Sequence, residues 1–135
     1  MSVAVAYQAS ASERLTLKEA AKEADLRQTA LSVLHIAEGV DIDIIEDQKT
    51  RVRDEITQVL EEVNLPGVEW TLEVATGVDV AETVLDLVAD SEVELLVIGA
   101  RRRSAVGKMI MGSVTQTIIL RADVPVLVVK APARM

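Results

Sequence analysis

Hydrophobic and polar residues follow two alternating periods along this chain, and together these periods predict five strands and four helices. Four short runs, at 2–7, 30–36, 95–98 and 126–129, are apolar at nearly every position, which is typical of strands buried on both faces. A fifth run, 68–74, alternates strictly between apolar and polar residues and indicates an edge strand with one face in water. Between the runs, apolar residues recur every three or four positions, as on the buried face of a helix. The predicted order is therefore βαβαβαβαβ.

Short polar signals mark where helices should begin. Ser10 with Glu13, and Ser113 with Gln116, have the spacing of a capping box, in which the two residues bond each other's free backbone N–H groups. The acidic run at 41–47 suits the entrance of the second helix, because carboxylates are favourable at the positive end of a helix dipole. A divalent-cation site is the alternative explanation for that run.

The order of the elements predicts the fold class. Strands that alternate with helices, and that are apolar throughout, specify a parallel sheet covered by helices on both faces. We expect an α/β fold: one doubly wound domain over residues 1–135, with a five-stranded parallel sheet in the order 3-2-1-4-5 and four helices. A chain of 135 residues is the usual size of one domain, and half of its residues are apolar.

The composition excludes several kinds of site. The chain has no cysteine, which excludes disulfides, zinc ribbons and thiol nucleophiles. Its single histidine, His35, excludes a His–His metal site, and we expect a strand residue with a satisfied ring rather than a catalyst. No apolar run approaches the roughly 18 residues of a membrane span, and the first ten residues lack the basic start and apolar core of a secretion signal. We therefore expect a cytoplasmic protein with no metal site and no membrane contact.

The net charge of −8 is unevenly distributed. Residues 1–98 carry seven Lys or Arg against 21 acidic residues, whereas residues 99–135 carry seven against one. Four of those cations lie in one short segment: Arg101, Arg102, Arg103 and Lys108. A local basic segment on an acidic chain favours an anion site over a nucleic-acid surface, which needs a broad basic face and usually aromatic residues for base stacking. A solvated loop that balances the acidic remainder is the alternative.

The topology predicts where a ligand would bind. In doubly wound sheets the site lies beyond the carboxyl ends of the strands, where the strand order reverses. In the order 3-2-1-4-5 that place lies between strands 1 and 4, where the chain reads Tyr7-Gln8-Ala9 and Gly99-Ala100. The segment 99–113 is not a Walker loop, because seven residues separate Gly99 from Gly107 and Met109 follows Lys108. No G-x-G-x-x-G follows strand 1 either, so a P-loop NTPase and a dinucleotide dehydrogenase are both poor fits.

The segment from Gly99 to Gly112-Ser113, followed by a helix and by Pro125-Val-Leu-Val-Val, resembles the C-terminal signature of the universal stress proteins. Element order, chain length and Ala-Ser-Glu-Arg at 11–14 agree, so the likeness covers the whole domain. The nucleotide-binding branch of that family carries G-x-x-G-x9-G-[ST]. Gly99, Gly112 and Ser113 match three of its marked positions at the right spacing, and Arg102 replaces the second glycine. Tyr7 stands where members that bind ATP usually carry aspartate.

The resemblance implies a stress-response regulator that binds an adenine nucleotide (ATP, ADP or AMP), with Mg²⁺ as a candidate companion of the phosphates. The implied phosphate contacts are Gly99, Arg101, Arg102, Arg103, Lys108, Gly112 and Ser113. The implied nucleoside contacts are Ala6, Tyr7, Ile36 and Ala37, with the base bonded to main chain at the end of strand 2. It also implies a homodimer that pairs its last strands through Val126, Leu127, Val128 and Val129, which suits an otherwise uncovered apolar edge strand.

Two alternatives remain open at this point. The Tyr7 ring either belongs to the core at a strand end or stacks on a nucleobase. The whole protein either binds nucleotide or is a nucleotide-free homodimeric stress protein whose basic loop is a surface for a partner, as the departures at Tyr7 and Arg102 would favour. No residue of the loop is a positioned general base, so we expect no enzyme beyond a weak ATPase and assign no catalytic residue.

Overall fold

The computed structural model describes residues 1–8, 11–37, 41–101 and 112–131. Within them, strands and helices alternate as the pattern predicts. In chain order the elements are β1 (Ser2–Ala6), α1 (Ala11–Leu26), β2 (Ala30–Ala37), α2 (Ile42–Glu62), β3 (Trp70–Thr76), α3 (Val80–Ala89), β4 (Val93–Arg101), α4 (Ser113–Arg121) and β5 (Val126–Ala131). None of the helices in these ranges is long and apolar enough to span a membrane.

The strands form one parallel sheet in the order β3-β2-β1-β4-β5, which confirms the predicted α/β fold with four helices. The central strand β1 places Val5 opposite Val33 of β2 and Val97 of β4. At the edge, Trp70 begins β3 opposite Leu31. The chain winds outward from β1 to β3 and then crosses to the other side for β4 and β5. The strand order therefore reverses between β1 and β4.

Each face of the sheet carries its own hydrophobic layer. Because side chains alternate across a strand, Val3 and Val5 of β1 face one layer and Ala4 faces the other. The first layer packs beneath α1 and α2, and the second packs beneath α3 and α4. Helix α1 contributes alanines to its layer, whose small side chains let the helix backbone approach the sheet closely. Burial on both faces explains why the strand sequences are apolar throughout.

The ends of several elements differ from the pattern. Strand β4 runs from Val93 to Arg101 rather than over 95–98, and β3 starts two residues later than 68. The ladders extend β4, because its pairing with β1 and β5 continues beyond the apolar run. Asp41 caps α2 by accepting from the backbone N–H groups of Asp43 and Ile44, which supports the helix-entrance explanation of the acidic run.

The capping box at Ser113 and Gln116 is wrong by one residue. The N-cap of α4 is Gly112, which is extended with φ −71° and ψ 167°, and Ser113 is already helical. The Gly112 carbonyl accepts the first helical bond, from the Gln116 N–H group at 3.1 Å. A glycine cap has no side-chain oxygen, so the start of α4 has no side-chain cap hydrogen bond. The predicted box at Ser10 lies outside the described residues.

Candidate functional site

The strand end at Gly99 and the start of α4 lie side by side. Gly99 is the seventh residue of β4, opposite Val129 of β5. The Thr115 hydroxyl, in the first turn of α4, donates to the Gly99 carbonyl at 3.4 Å. Thr115 is two residues beyond Ser113, so the matched positions Gly99, Gly112 and Ser113 converge although 12 residues separate the two glycines. The fold thus brings the two ends of the basic segment together at the carboxyl end of the sheet.

The start of α4 offers donors to an anion. The first N–H groups of any helix have no intrahelical acceptor, and the helix dipole makes that end positive. Gly112 and Ser113 are exposed, and Gly112, as the N-cap, makes no side-chain cap hydrogen bond. A Cβ placed on Gly112 would meet no atom of the described residues within 4 Å. An incoming anion can therefore approach the backbone here closely.

Gly99 has a packing reason to be glycine that needs no ligand. A Cβ at this position would lie 2.6 Å from the Thr16 hydroxyl oxygen and 2.9 Å from Glu13 Oε2. Both side chains belong to the first turns of α1, and Thr16 is almost completely buried. Helix α1 thus packs directly over the strand end. The sequence motif alone does not reveal this contact.

The Tyr7 side chain belongs to the core. It is completely buried in the layer under α1 and α2, and its hydroxyl donates to Glu55 of α2. Burial raises the pKa of the Tyr7 phenol, and the hydrogen bond to the Glu55 carboxylate raises that pKa further. Of the two interpretations of this ring, the structure supports the core residue. Because the Tyr7 side chain is buried, only the Tyr7 backbone can contact a nucleoside.

At the end of β2, side chains form hydrogen bonds that the sequence does not predict. The Gln8 carboxamide spans the Ile36 backbone: its Nε2 donates to the Ile36 carbonyl and its Oε1 accepts from the Ile36 N–H group, each at 3.2 Å. Beside it, His35 Nδ1 lies 2.8 Å from the Tyr7 carbonyl and Nε2 lies 3.4 Å from Gln48 Oε1. His35 is thus a buried strand residue with a satisfied ring, as predicted.

The remaining predicted nucleoside residues lie at the same end of the sheet. Ala6 is the last residue of β1, opposite Leu34, and is half-buried. Ile36 and Ala37 are the last two residues of β2 and are each 2% exposed. Ile36 and Ala37 therefore present little side-chain surface to a ligand, and the Ile36 N–H and carbonyl groups are bonded to Gln8.

Most of the basic segment lies outside the described residues. Arg101 is the last residue of β4, opposite Ala131. Arg102, Arg103 and Lys108 fall in 102–111, so their predicted phosphate contacts remain predictions. In the described residues, no group of three or more His, Asp or Glu could hold a metal ion.

The predicted dimer strand is an edge strand. Among the described residues, β5 pairs with β4 alone, so none of them lies beside the other edge of Val126, Leu127, Val128 and Val129. Their side chains pack against the two hydrophobic layers and are half-buried, except Val129, which is buried. An edge of this kind has free backbone groups that another strand can pair with.

A separate cleft of about 510 Å³ opens at the amino end of the sheet. The turns after α1 and α2 form it, with Asp25, Gln28, Asn64 and Glu69 among the polar lining residues. It lies at the far end of the strands from Gly99 and Ile36. The cleft is therefore not the predicted site.

Sequence reasoning missed Gln8, Glu55, and the pair Glu13 and Thr16. Gln8 could have been noticed, because it directly follows strand 1 at the predicted crevice and carries both a donor and an acceptor. The other three depend on how the helices lie over the sheet, which no local pattern gives.

Comparison with known proteins agrees with the fold and with the family that the sequence resembles. Residues 1–130 match the sequence model of the "Universal stress protein family". A universal stress protein of Mycolicibacterium smegmatis is 34% identical over 128 residues, covering 95% of this chain and 96% of the relative.

Solved structures with the same fold include a universal stress protein from Archaeoglobus fulgidus, with a TM-score of 0.75 and 27% identity over 96% of this chain and 98% of the other. Another structure, described as the universal stress protein from Archaeoglobus fulgidus in complex with dAMP, has a TM-score of 0.69 and 21% identity over the same shares. Family match, identity and fold agree over nearly the whole chain, and the chain belongs to the universal stress protein family.

Proposed function

We propose that this chain binds an adenine nucleotide at the carboxyl end of its sheet, between β1 and β4, and that the bound nucleotide regulates its part in a stress response. One observation carries the proposal. The Thr115–Gly99 hydrogen bond holds Gly99, two residues before the end of β4, beside the start of α4, where the N-cap Gly112 makes no side-chain hydrogen bond. A strand end next to a helix N-terminus, at the point where the strand order reverses, is where this kind of fold binds phosphate.

The phosphates would bind the backbone at Gly99, Gly112 and Ser113, with the Ser113 hydroxyl adding one bond. Arg101, Arg102, Arg103 and Lys108 would add charge-assisted contacts. The nucleoside would lie toward β2, against Ala6, Tyr7, Ile36 and Ala37. The dAMP complex described for a structure from Archaeoglobus fulgidus supports a nucleotide of the adenine class. ATP, ADP and AMP are the candidate nucleotides. Mg²⁺ would be bound by the phosphate oxygens of a triphosphate.

Binding, rather than turnover, is the proposed activity. A phosphoryl-transfer site needs a group that positions the attacking water, together with strong stabilisation of the transferred charge. Among the described residues, the Glu13 carboxylate lies beside Gly99, and we assign it to the packing of α1 rather than to that task. We expect ATP hydrolysis well below about 1 s⁻¹, the lower end of ordinary turnover numbers. A faster rate in purified protein, abolished by Gly112→Ala, would contradict this part of the proposal.

The decisive experiment is a calorimetric titration of wild type, Gly112→Ala and Gly67→Ala with ATP, ADP and AMP. Gly67 is the matched control, because a Cβ there also meets no described atom within 4 Å and the residue lies at the other end of the sheet. We expect Gly112→Ala to weaken binding at least about tenfold, since its methyl group stands between the phosphates and the backbone. Gly67→Ala should bind as wild type does.

Two results would count against nucleotide binding. The first is the absence of heat and of a thermal shift for wild type at millimolar nucleotide, where a specific ligand should stabilise the fold measurably. The second is equal affinity in Gly112→Ala and wild type, which would move the phosphates away from α4. Nucleotide released from protein purified without added ligand, identified by mass spectrometry, would support the proposal independently.

We also propose a cytoplasmic homodimer that pairs β5 of two copies across a two-fold axis. The unpaired side of β5 and its apolar sequence support this, since an uncovered apolar edge invites pairing. Sedimentation should give a mass twice the 14.6 kDa of the chain. A monomer at micromolar concentration would contradict it.

A nucleotide-free interaction protein is the second candidate, and one observation favours it. The Ile36 N–H and carbonyl groups, to which a base would bond, are both occupied by Gln8. In that case the basic segment would be the surface that binds a protein partner. The same titration separates the candidates, because only the first predicts binding that is sensitive to Gly112→Ala.

A further inference from the structure

We infer that Gln8 sets the affinity of this site for a base, because its carboxamide occupies the main-chain groups of Ile36 that the base must bond. The inference rests on the proposed function and deepens it. Gln8 competes with the base for the Ile36 backbone, and it does not affect the part of the site that binds the phosphates.

The ladder between β1 and β2 explains why Gln8 is there. The Tyr7 N–H group donates to the Leu34 carbonyl at 2.9 Å, as in a regular parallel ladder. In such a ladder the next bond would run from the Ile36 N–H group to the Tyr7 carbonyl. That carbonyl instead lies 2.8 Å from His35 Nδ1, which must carry a proton because a carbonyl only accepts. The Ile36 N–H group is thereby left to Gln8.

The Gln8 contact has two bonds and the correct polarity at each. Oε1 accepts from the Ile36 N–H group and Nε2 donates to the Ile36 carbonyl, each at 3.2 Å. The two bonds fix each other's assignment, since exchanging the amide oxygen and nitrogen would bring two donors and two acceptors together. The Gln8 side chain thus makes the hydrogen bonds to Ile36 that the backbone would make if β1 continued.

The same two groups suit the Watson–Crick edge of a purine. The N1 atom of adenine accepts and its 6-amino group donates, side by side, as the carboxamide of Gln8 does. Adenine and Gln8 therefore compete for the same donor and acceptor. A base that bonds Ile36 must first displace the carboxamide.

Displacement is feasible, because Gln8 is exposed and its two bonds are long. The Ile36 side is rigid, since that residue is 2% exposed and belongs to β2. The bonded and displaced positions of Gln8 form a two-state equilibrium, and only the displaced position lets the base bind. The apparent affinity for the base is therefore the intrinsic affinity multiplied by the displaced fraction. Ligands that bind through phosphate alone do not involve that equilibrium.

The test compares wild type with Gln8→Ala and Gln8→Met. Methionine keeps the length of glutamine and cannot pair with the Ile36 backbone, so it separates hydrogen bonding from occupied space. Gln58→Met is the matched control, an exposed glutamine on α2 at a distance from β1. Each protein is titrated by calorimetry with AMP and with ribose 5-phosphate, which lacks the base.

We expect both Gln8 variants to bind AMP roughly 3- to 10-fold more tightly than wild type, the size of effect that two modest hydrogen bonds allow. Their affinity for ribose 5-phosphate and the affinities of Gln58→Met should stay at the wild-type values. The Ile36 amide resonance of wild type, followed by NMR, should shift on addition of AMP and stay in place with ribose 5-phosphate.

Four results would overturn the inference. Unchanged AMP affinity in both variants would mean that Gln8 does not compete, and weaker affinity would make it a ligand contact. Tightening in Gln8→Ala alone would assign the effect to space rather than to hydrogen bonds. Binding of neither ligand by any of the proteins would refute the proposed function itself, and the inference with it. The first three results leave nucleotide binding intact, so the two failures are distinguishable.

Discussion

Substituting alanine for Gly99 tests whether helix α1 requires a glycine at the end of β4. The added Cβ would lie 2.6 Å from the Thr16 hydroxyl oxygen and 2.9 Å from Glu13 Oε2, where ordinary contact begins at 3.4 Å. The overlaps are therefore 0.8 Å and 0.5 Å. The shorter of the two contacts is to Thr16, which is 2% exposed and whose β-branched side chain has few rotamers in a helix.

The Thr16 contact thus decides the cost of the substitution. Inserting one methyl group into a well-packed region typically costs about 1–3 kcal/mol. We expect Gly99→Ala to lose that much free energy of unfolding, measured by urea denaturation followed by far-UV circular dichroism. Gly67→Ala, which adds the same methyl group in open space, should change the free energy of unfolding by less than about 0.5 kcal/mol.

A double-mutant cycle with Thr16→Ala isolates the contact. Removing the hydroxyl relieves the larger overlap, so Gly99→Ala should cost at least about 1 kcal/mol less in the Thr16→Ala background than in wild type. Additive free energies, or a Gly99→Ala variant as stable as wild type, would refute the packing argument. Gly99 would then be explained by ligand approach alone.

Three further variants test the core and the surface. Tyr7→Phe should lose about 1–3 kcal/mol at pH 7, because the Glu55 carboxylate loses its donor. Since the pKa of Tyr7 is raised in the fold, that stabilisation should hold below about pH 10 and decline above it, and a loss that stays constant to pH 12 would contradict this. Leu96→Ala, at a completely buried position of β4, should lose about 2–5 kcal/mol in urea denaturation, and a smaller loss would mean that the core closes around the cavity. Glu62→Gln should lower the Tm slightly at pH 7. Lys18 holds the pKa of that carboxyl below its usual range, so the difference from wild type should shrink as the pH falls below the ordinary glutamate pKa of about 4.3, and a difference that stays constant on acidification would have another cause.

The fold could be predicted from the sequence because its signals are local. Doubly covered strands must be apolar at every position, and 2–7 and 95–98 have no other plausible reading in a chain of this length. The alternating pattern at 68–74 predicts an edge strand, and β3 lies at the edge of the sheet. The cap of α4 was misplaced by one residue because Gly112 serves as the cap, and a glycine leaves no side-chain signal.

Only the part of the site that has a characteristic sequence spacing could be predicted. Gly99, Gly112 and Ser113 carry a recognisable separation, and the fold brings both ends of that segment together. Gln8 was not predictable as a partner of Ile36, because that pairing depends on where β1 stops and on the direction in which the Tyr7 carbonyl points. Contacts between residues 28 positions apart are set by packing rather than by local pattern.

The position of Trp70 gives the protein a built-in optical probe. It is the single tryptophan, half-buried at the amino end of β3, and it packs against the layer beneath α1 and α2. Indole emission depends on solvent contact, so its wavelength should move to the red when that layer opens. The proposed nucleotide site lies at the other end of the strands, so ligand should leave the emission of the folded chain unchanged. Intrinsic fluorescence would then report unfolding alone, and ligand-induced stabilisation could be read without correction for the bound state.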